Sequence, residues 1–311
     1  MLFRSVVEAE LDQVAELFEA DPASWVDAAQ FRTELAAGQY RPEWVWLAED
    51  AGVPVALAVW WSRAGEPVPL ALDHLWVAAS VGDRVGAAAE LLAAAHRMLG
   101  ARPDFELRLP VGWRHRPAAV AALEWRRQAA ARAGLTEELE RLQYAWTPAS
   151  GLPTAGERLL FRPEPDDAAF LDVFRRVAVG SLDTTSRRNV AALGAERAAG
   201  KELAIYASVP DTRGWWRLAY TRDGTLVGFG IPWRNPYGRN VGYLGVLPEQ
   251  RGNGYIGEVL ADITRFHAAA GAERITATTD MVNVPMQRAF ERAGYRNTEV
   301  RFVLSAPVAT A

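Results

Sequence analysis

The chain has no cysteine among its 311 residues. That removes disulfides, thiolate nucleophiles and cysteine-based metal sites together. Histidine is almost as scarce: His74, His96, His115 and His267 show none of the spacings of a metal-binding set, so no metal is expected. A Gly-x-Ser-x-Gly elbow and a Gly-x-x-x-x-Gly-Lys-(Ser/Thr) loop are missing too, which leaves esterase and P-loop chemistry without a motif. No apolar run approaches the roughly 20 residues needed to span a bilayer. The charge has no basic excess: the formal net is −4, the wrong sign for a nucleic-acid footprint. Met1-Leu-Phe-Arg-Ser runs directly into Glu8, Glu10 and Asp12, unlike the build of a secretory leader. A cytoplasmic protein with neither a membrane nor a nucleic-acid partner is expected.

What the chain does have is apolar content. Half its residues are hydrophobic against 23% charged, a balance that buries real cores. Its length suits two domains. Leu2 to Val7 reads as a short strand, and Leu11, Val14, Ala15, Leu17 and Phe18 make one helical face that Asp21-Pro22 ends. Ala28 to Ala37 is a second helix, and Trp44 to Asp50 and Val53 to Trp61 alternate as a hairpin about Ala51-Gly52. Leu70 to Val77 is a strand and Val85 to Leu99 an alanine-rich helix. Phe105 to Val111 is again a strand, Ala118 to Ala133 a helix, and Leu139 to Trp146 a closing strand. Pro148 to Pro153 reads as a linker. The second half repeats this order. Leu2-Phe3-Arg4 has its counterpart in Leu160-Phe161-Arg162, and Arg132-Ala-Gly-Leu135 in Arg292-Ala-Gly-Tyr295. Whole-domain duplication accounts for such pairs, since solenoid repeats are only about 20–50 residues long. Two α/β domains are expected, residues 1–150 and 151–311, each a mixed sheet with helices on both faces.

One stretch carries chemistry. From Gly242 to Leu247 the chain reads as a buried strand, Pro248 stops it, and Arg251-Gly252-Asn253-Gly254 is a glycine-relieved turn. Val259, Leu260, Ile263 and Phe266 then recur at helical spacing. Such a joint aims backbone N–H groups and the positive end of a helix dipole at one spot, which suits a pyrophosphate. Gly252 and Gly254 present no Cβ to the oxygens, and Arg251 adds a charge. In the first half, alignment on Glu90 and Glu258 sets Asp83-Arg84-Val85-Gly86 opposite this turn. A carboxylate there opposes an anion, so the first copy is expected to be degenerate. Arg114, His115 and Arg116 form a basic cluster in that copy that reads first as a solvated loop. The tryptophans on the hairpins read mainly as packing, with Trp233 also a candidate wall of an acceptor pocket.

Downstream, Arg274 to Asp280 is a second strand, leading into Asn283-Val-Pro-Met286-Gln-Arg-Ala-Phe290-Glu-Arg-Ala-Gly294-Tyr295. Together with Val246-Leu-Pro-Glu-Gln-Arg251-Gly-Asn-Gly254, this resembles the GCN5-related N-acetyltransferase (GNAT) superfamily over most of residues 155–305. The family pattern is Val-x-Pro-x-x-Arg-Gly-x-Gly, then Asn-x-x-(small)-x-x-x-Tyr-x-x-x-Gly-(Phe/Tyr). The resemblance implies two tandem acyl-CoA N-acyltransferase (GNAT-like) domains, with acetyl-CoA or another acyl-CoA as co-substrate. It implies a pantetheine arm between splayed strands on the backbone of Leu244, Gly245 and Val246. The pyrophosphate would rest on Arg251, Gly252, Asn253, Gly254, Tyr255, Ile256 and Gly257, with Asn283 and Phe290 also contacting the cofactor. The chain departs from the pattern at Ile256 and Met286, where small residues are usual. Phe290 replaces the tyrosine that protonates the leaving sulfur, and Asn240 stands where some relatives carry a glutamate base.

The expected activity is direct transfer of an acetyl (acyl) group to the amine of a small molecule, an N-acetyltransferase reaction in the second domain. Asn240 and Tyr243 are the candidate catalytic positions, with Tyr255 and Asp280 as further substitutes for the missing proton carriers. The acceptor crevice is expected between the segment Gly180 to Ser186, where Asp183 could attract a cation, and Trp233. A tandem arrangement with one degenerate copy also resembles the mycothiol synthases, which implies an amino-sugar conjugate as a narrower acceptor. The alternative is an acyl-CoA-binding sensor or scaffold without turnover, which Asn240 and Phe290 favour.

Overall fold

The computed structural model describes residues 1–307. In chain order the elements are β1 (Leu2–Ser5), α1 (Leu11–Ala15), α2 (Ala28–Ala36), β2 (Val45–Asp50), β3 (Val53–Trp61), β4 (Ala71–Val77), α3 (Arg84–Leu99), β5 (Asp104–Pro110), α4 (Pro117–Arg132) and β6 (Glu137–Trp146). There follow β7 (Leu159–Pro163), α5 (Asp167–Ala178), α6 (Thr184–Leu193), α7 (Ala195–Ala207), β8 (Arg217–Thr221), β9 (Leu226–Asn235), β10 (Gly238–Val246), α8 (Tyr255–Ala269), β11 (Ile275–Asp280), α9 (Val284–Arg292) and β12 (Arg296–Ser305). The contacts divide into two units, Met1–Glu140 with Glu299–Pro307, and Arg141–Thr298.

Strand order is β1-β2-β3-β4-β5-β12 in the first unit and β7-β8-β9-β10-β11-β6 in the second. Each sheet is antiparallel apart from one parallel pair, β4–β5 in the first and β10–β11 in the second. The mixed α/β class and the duplicated order read from the sequence are both present. The source of the last strand is different. The sequence reading, with its boundary between 150 and 151, counts each closing strand with the half it ends. By contacts, residues 141–146 of β6 go with β11, and residues 299–305 of β12 go with β5.

Local chemistry explains the elements. At the β2–β3 hairpin Ala51 and Gly52 both take left-handed φ, 49° and 80°, as a tight two-residue hairpin turn needs. Asp166 caps α5, and Phe170, Val173, Phe174 and Val177 then line one face at helical spacing against Trp216, Phe229 and Ile231. Val259, Leu260 and Ile263 of α8 pack the opposite side of that sheet, against Val227, Val241 and Val246. The second unit is thus covered on both faces.

The feature that shapes each sheet is a bulge. Asn240 of β10 faces Trp233, but Tyr243 faces Ile231, so Val241 and Gly242 together oppose a single β9 residue. Gly242 has φ +69°, and a Cβ there would lie 2.4 Å from the Ile231 carbonyl oxygen. Only glycine fits. The parallel ladder stops just before this point: Arg239 pairs with Ile275 and Asn240 with Thr276, and no further β10–β11 pair follows among the described residues.

The first unit has the same device with a different outcome. Val59 faces His74 and Trp60 faces Leu72, leaving Asp73 as the extra residue of β4, and the β4–β5 ladder holds only Ala71–Asp104 and Leu72–Phe105. Here the opening is filled by the unit's own chain. Arg126 of α4, 2% exposed, donates Nε and Nη2 to the Leu75 carbonyl at 3.1 and 2.8 Å and ion-pairs with Asp21. The Arg108 amide of β5 donates to the carbonyl of Ala23, which is fully buried. Burial pulls the Arg126 guanidinium down to about 10, so it remains charged at neutral pH. Its ion pair is therefore obligatory. We expect Asp21→Ala to cost about 3 kcal/mol by stranding a buried cation, with much of the loss recovered in Asp21→Ala/Arg126→Met. Urea unfolding of the intact chain checks this; an unchanged midpoint in the single variant contradicts it.

Candidate functional site

In the second unit the opening beyond the bulge is a cleft of about 510 Å³. Leu244, Gly245 and Val246 of β10 form one wall, and Arg251, Gly252, Gly254, Tyr255 and Ile256 form its end. Asn283, Pro285 and Met286 close it from α9, while Val177, Gly180, Ser181 and Leu182 close it from the end of α5. Most of the cofactor positions read from the sequence are therefore brought together. Val177 and Pro285 were not foreseen, because no motif marks them, whereas Gly180, Ser181 and Leu182 come from the segment expected to bound the acceptor crevice.

The turn has the expected openness. Gly252 and Gly254 take φ +84° and +74°; a Cβ on Gly252 would meet nothing within 4 Å, and one on Gly254 only Arg158 Nη2 at 3.8 Å. Gly254 is the N-cap of α8 and no side chain caps that end. The turn is held from within, by Asn253 Nδ2 on the Gln250 carbonyl and by the Gly257 amide on the Gly254 carbonyl. Cap for cap, Gly254 corresponds to Asp83, whose carboxylate accepts the Gly86 amide at 2.8 Å. This replaces the alignment of Asp83 with Arg251. The carboxylate of the first unit sits on the helix N–H groups themselves.

Arg251 does not offer the free charge expected of it. Its guanidinium donates to the carbonyls of Val177, Val179 and Gly180 at 2.7–3.2 Å, and its Nε to Val246. The end of α5 leaves those carbonyls without helical partners, and a five-donor fork satisfies them. The exposed cation beside the turn is Arg158, with Nη1 on the Asn253 carbonyl at 2.9 Å and Nε on Glu258. Its partners lie almost a hundred residues away, so spacing could not reveal it.

Strand alternation separates the remaining candidates. Leu244 and Val246 face α8, whereas Tyr243 packs on the other face against Phe174, Phe229 and Tyr206, ring centroids 4.8–5.6 Å apart. Burial, then the charges of Glu202 and Asp183, raise the Tyr243 phenol above its usual range, so it holds its proton. Asn240, 9% exposed, sits on the last rung before the bulge with its carbonyl on His267 Nε2. Asn283 caps α9 through the Met286 amide. Phe290 is 1% exposed and stacks on Tyr144 at 5.1 Å; it belongs to the core, not to the cleft lining. Trp233 is half-buried, bonded through Nε1 to the Tyr206 carbonyl.

Asp183 caps α6 by accepting the Ser186 amide, and its second oxygen lies 3.6 Å from Arg141. Arg141 also bonds the fully buried Asp280, which accepts the Thr184 amide as well. Glu202 of α7 adds a third carboxyl, pushed up by burial first and by Asp183 next, and held down by Lys201 and Arg141. One arginine thus faces three carboxyls. Among the described residues no group of three or more histidine or acidic side chains could hold a metal, and no helix is long and apolar enough to cross a membrane.

The fold is that of the N-acetyltransferases, present in both units. In the second unit, residues 158–296 match the acetyltransferase (GNAT) domain. No curated protein matches the chain by sequence. Among solved structures it is similar to a GCN5-related N-acetyltransferase from Sphaerobacter thermophilus (17% identity, 100% of this chain and 96% of that one, TM-score 0.59). It is also similar to a tandem GNAT protein from the clavulanic acid biosynthesis pathway (15% identity, 100% and 99%, TM-score 0.51). A third is a GCN5-related glucosamine N-acetyltransferase region of a fungal multi-domain β-N-acetylglucosaminidase (13% identity, TM-score 0.58), where 97% of this chain covers 38% of that one.

Gly254→Val adds a branched side chain at the helix end and at a left-handed φ. We expect it to abolish CoA binding in calorimetry and to cost about 1–2 kcal/mol of stability. Unchanged affinity would remove the assignment of the turn.

Proposed function

We propose that the second unit transfers an acetyl or other acyl group from acetyl-CoA to the amine of a small molecule, by direct attack. The observation that carries this is the open cleft past the bulge, ending on the uncapped start of α8. The same place in the first unit is filled by Arg126 and the loop at residues 21–23. This supports one acyl-CoA site per chain, with the first unit not binding CoA. Where β10 no longer pairs with β11, the backbone at Leu244, Gly245 and Val246 suits the amides of a pantetheine arm, apart from the Val246 carbonyl that Arg251 Nε already holds, and a bulge N–H suits the thioester oxygen. The pyrophosphate would lie on the N–H groups of Tyr255 and Ile256.

The C–N bond forms as the C–S bond breaks. The thiolate needs no acid, since a thiol near ~8.5 leaves unassisted and takes its proton from water afterwards. The amine is the harder partner, because an alkylammonium near ~10.4 must first lose a proton. Asn240 cannot take it. We assign that role to Glu202, whose raised pKa suits a base better than an ordinary carboxylate, with Asp183 drawing a cationic acceptor toward it. The resemblance in fold to a glucosamine N-acetyltransferase region makes amino sugars the first acceptors to test.

A sensor that binds acyl-CoA without turnover is the second reading, favoured by Asn240 in place of a carboxylate. Following free thiol across a panel of amines separates the two: release with one class supports the enzyme, and CoA binding without release from any supports the sensor. In the enzyme, activity should fall as pH drops through the raised pKa of Glu202, and rise on the alkaline side toward the amine's own pKa. Glu202→Gln should lower kcat/KM about a hundredfold and remove the acid limb. Phe290→Tyr should leave turnover unchanged. A limb that persists in Glu202→Gln would assign the proton elsewhere.

A further inference from the structure

The first unit holds a feature that its filled opening does not explain. α3 ends at Leu99 with Gly100 at φ +64°, α4 ends at Arg132, and between these ends lies an open cavity of about 700 Å³. Arg97, Arg102 and Arg132 stand around it, all exposed. None of the three guanidinium groups makes a hydrogen bond or ion pair among the described residues. At the cavity wall His96 is 6% exposed, and neither of its ring nitrogens completes a hydrogen bond. Burial and the Arg102 charge outweigh the polar backbone at Ala133 and pull the imidazole down to about 4. The ring is therefore neutral, and the Ala133 backbone, outside good hydrogen-bond geometry, is all that meets its buried nitrogens.

Compensation of the helix dipoles is too small a reason for the charges. Two helix C-termini present about half a negative charge each, so three arginines leave a surplus of about two positive charges. The duplication supplies an internal control. Matching the left-handed glycines that follow α3 and α8, Gly100 and Gly271, His96 corresponds to His267, Arg97 to Ala268 and Arg102 to Glu273. In the second unit the histidine is bonded to the Asn240 carbonyl and the counterparts of Arg97 and Arg102 are no longer basic, while Arg132 keeps its counterpart in Arg292. The basic cavity is special to the first unit.

We propose that this cavity binds a compact anion of the phosphate-ester class, held by Arg97, Arg102 and Arg132 with the His96 N–H at its wall. Guanidinium forks match the oxygens of a phosphate in pairs, and the anion offers the His96 N–H an acceptor in better geometry than the Ala133 backbone. The site lies in the unit whose cofactor opening is closed, so its ligand is distinct from the acyl-CoA of the second unit.

Calorimetric titration of the intact chain with pyrophosphate, and in parallel with citrate, tests this against Arg102→Ser and Arg102→Ser/Arg132→Ser. Any pyrophosphate taken by the α8 turn contributes equally to all three chains, so the difference isolates the cavity. Both arginines are exposed, and the variants should keep the parent circular dichroism spectrum. A saturable event that weakens about tenfold in the single variant and disappears in the double one is expected. The His96 ring resonance should shift over the same titration. Equal heats in parent and double variant, or a His96 resonance that does not move, would overturn the site. Citrate binding more tightly than pyrophosphate would overturn the phosphate class.

Discussion

The bulge at Val241–Gly242 is the constraint on which the second unit depends. One extra residue on β10 slips its register with β9 and ends its ladder with β11 after two pairs. A strand that stops pairing leaves backbone N–H and C=O groups that want partners. In a buried sheet such an edge is tolerated only where something else will occupy it. The edge at 244–246 is lined with small or aliphatic residues and opens into a cleft. Its exposure makes sense as a receiving surface for an amide-bearing ligand. Gly242 makes the slip possible, since its φ and the 2.4 Å approach of Ile231 exclude any side chain.

The first unit shows the same constraint with the opening filled by the chain's own groups. Its bulge at Asp73 also ends the β4–β5 ladder after two pairs, and the freed groups must still be satisfied. Arg126 takes the Leu75 carbonyl and the Ala23 carbonyl takes the Arg108 amide. A buried guanidinium is an expensive filler, tolerable only because Asp21, Ala122 and Leu75 together meet its donors. Asp83 does for the helix end what Arg126 does for the strand edge. Both fill with the chain's own groups what the second unit leaves open.

The fold was legible because it rests on local signals: the period of α5 and α8, the Ala51-Gly52 turn, and the Gly252 and Gly254 turn. Duplication made the second half readable from the first. The strand exchange was hidden because β6 and β12 have similar alternation, and nothing in a strand's own pattern names the partner across its edge. Arg251 was misread for a related reason. A motif fixes where an arginine sits, whereas the carbonyls at the end of α5 decide where its five donors go. Phe290 entered the core because Met286, Ala289 and Phe290 share one helical face. Glu202 and Arg141 gave no signal, since their importance lies in a convergence of α7, α6, β6 and β11 that no short window contains.

Alternation along β10 has a chemical corollary. Leu244 and Val246 turn toward α8, and Tyr243 and Gly245 toward α5. A Cβ on Gly245 would lie 2.5 Å from Val177, so the helix is drawn tightly onto the strand here. The carboxyls of Asp183 and Glu202 act on the same face as Tyr243. The glycine turn ends the cleft at the start of α8, while Glu202 lies with Ser186 and Tyr243 in a separate small pocket on the other face. On the proposed function, donor and acceptor would reach the bulge from opposite faces of the sheet, where the β10–β11 ladder is open. The direct attack of that proposal is in keeping with a chain that has no cysteine and with a Tyr243 phenol that burial keeps protonated, since neither can then serve as a nucleophile there.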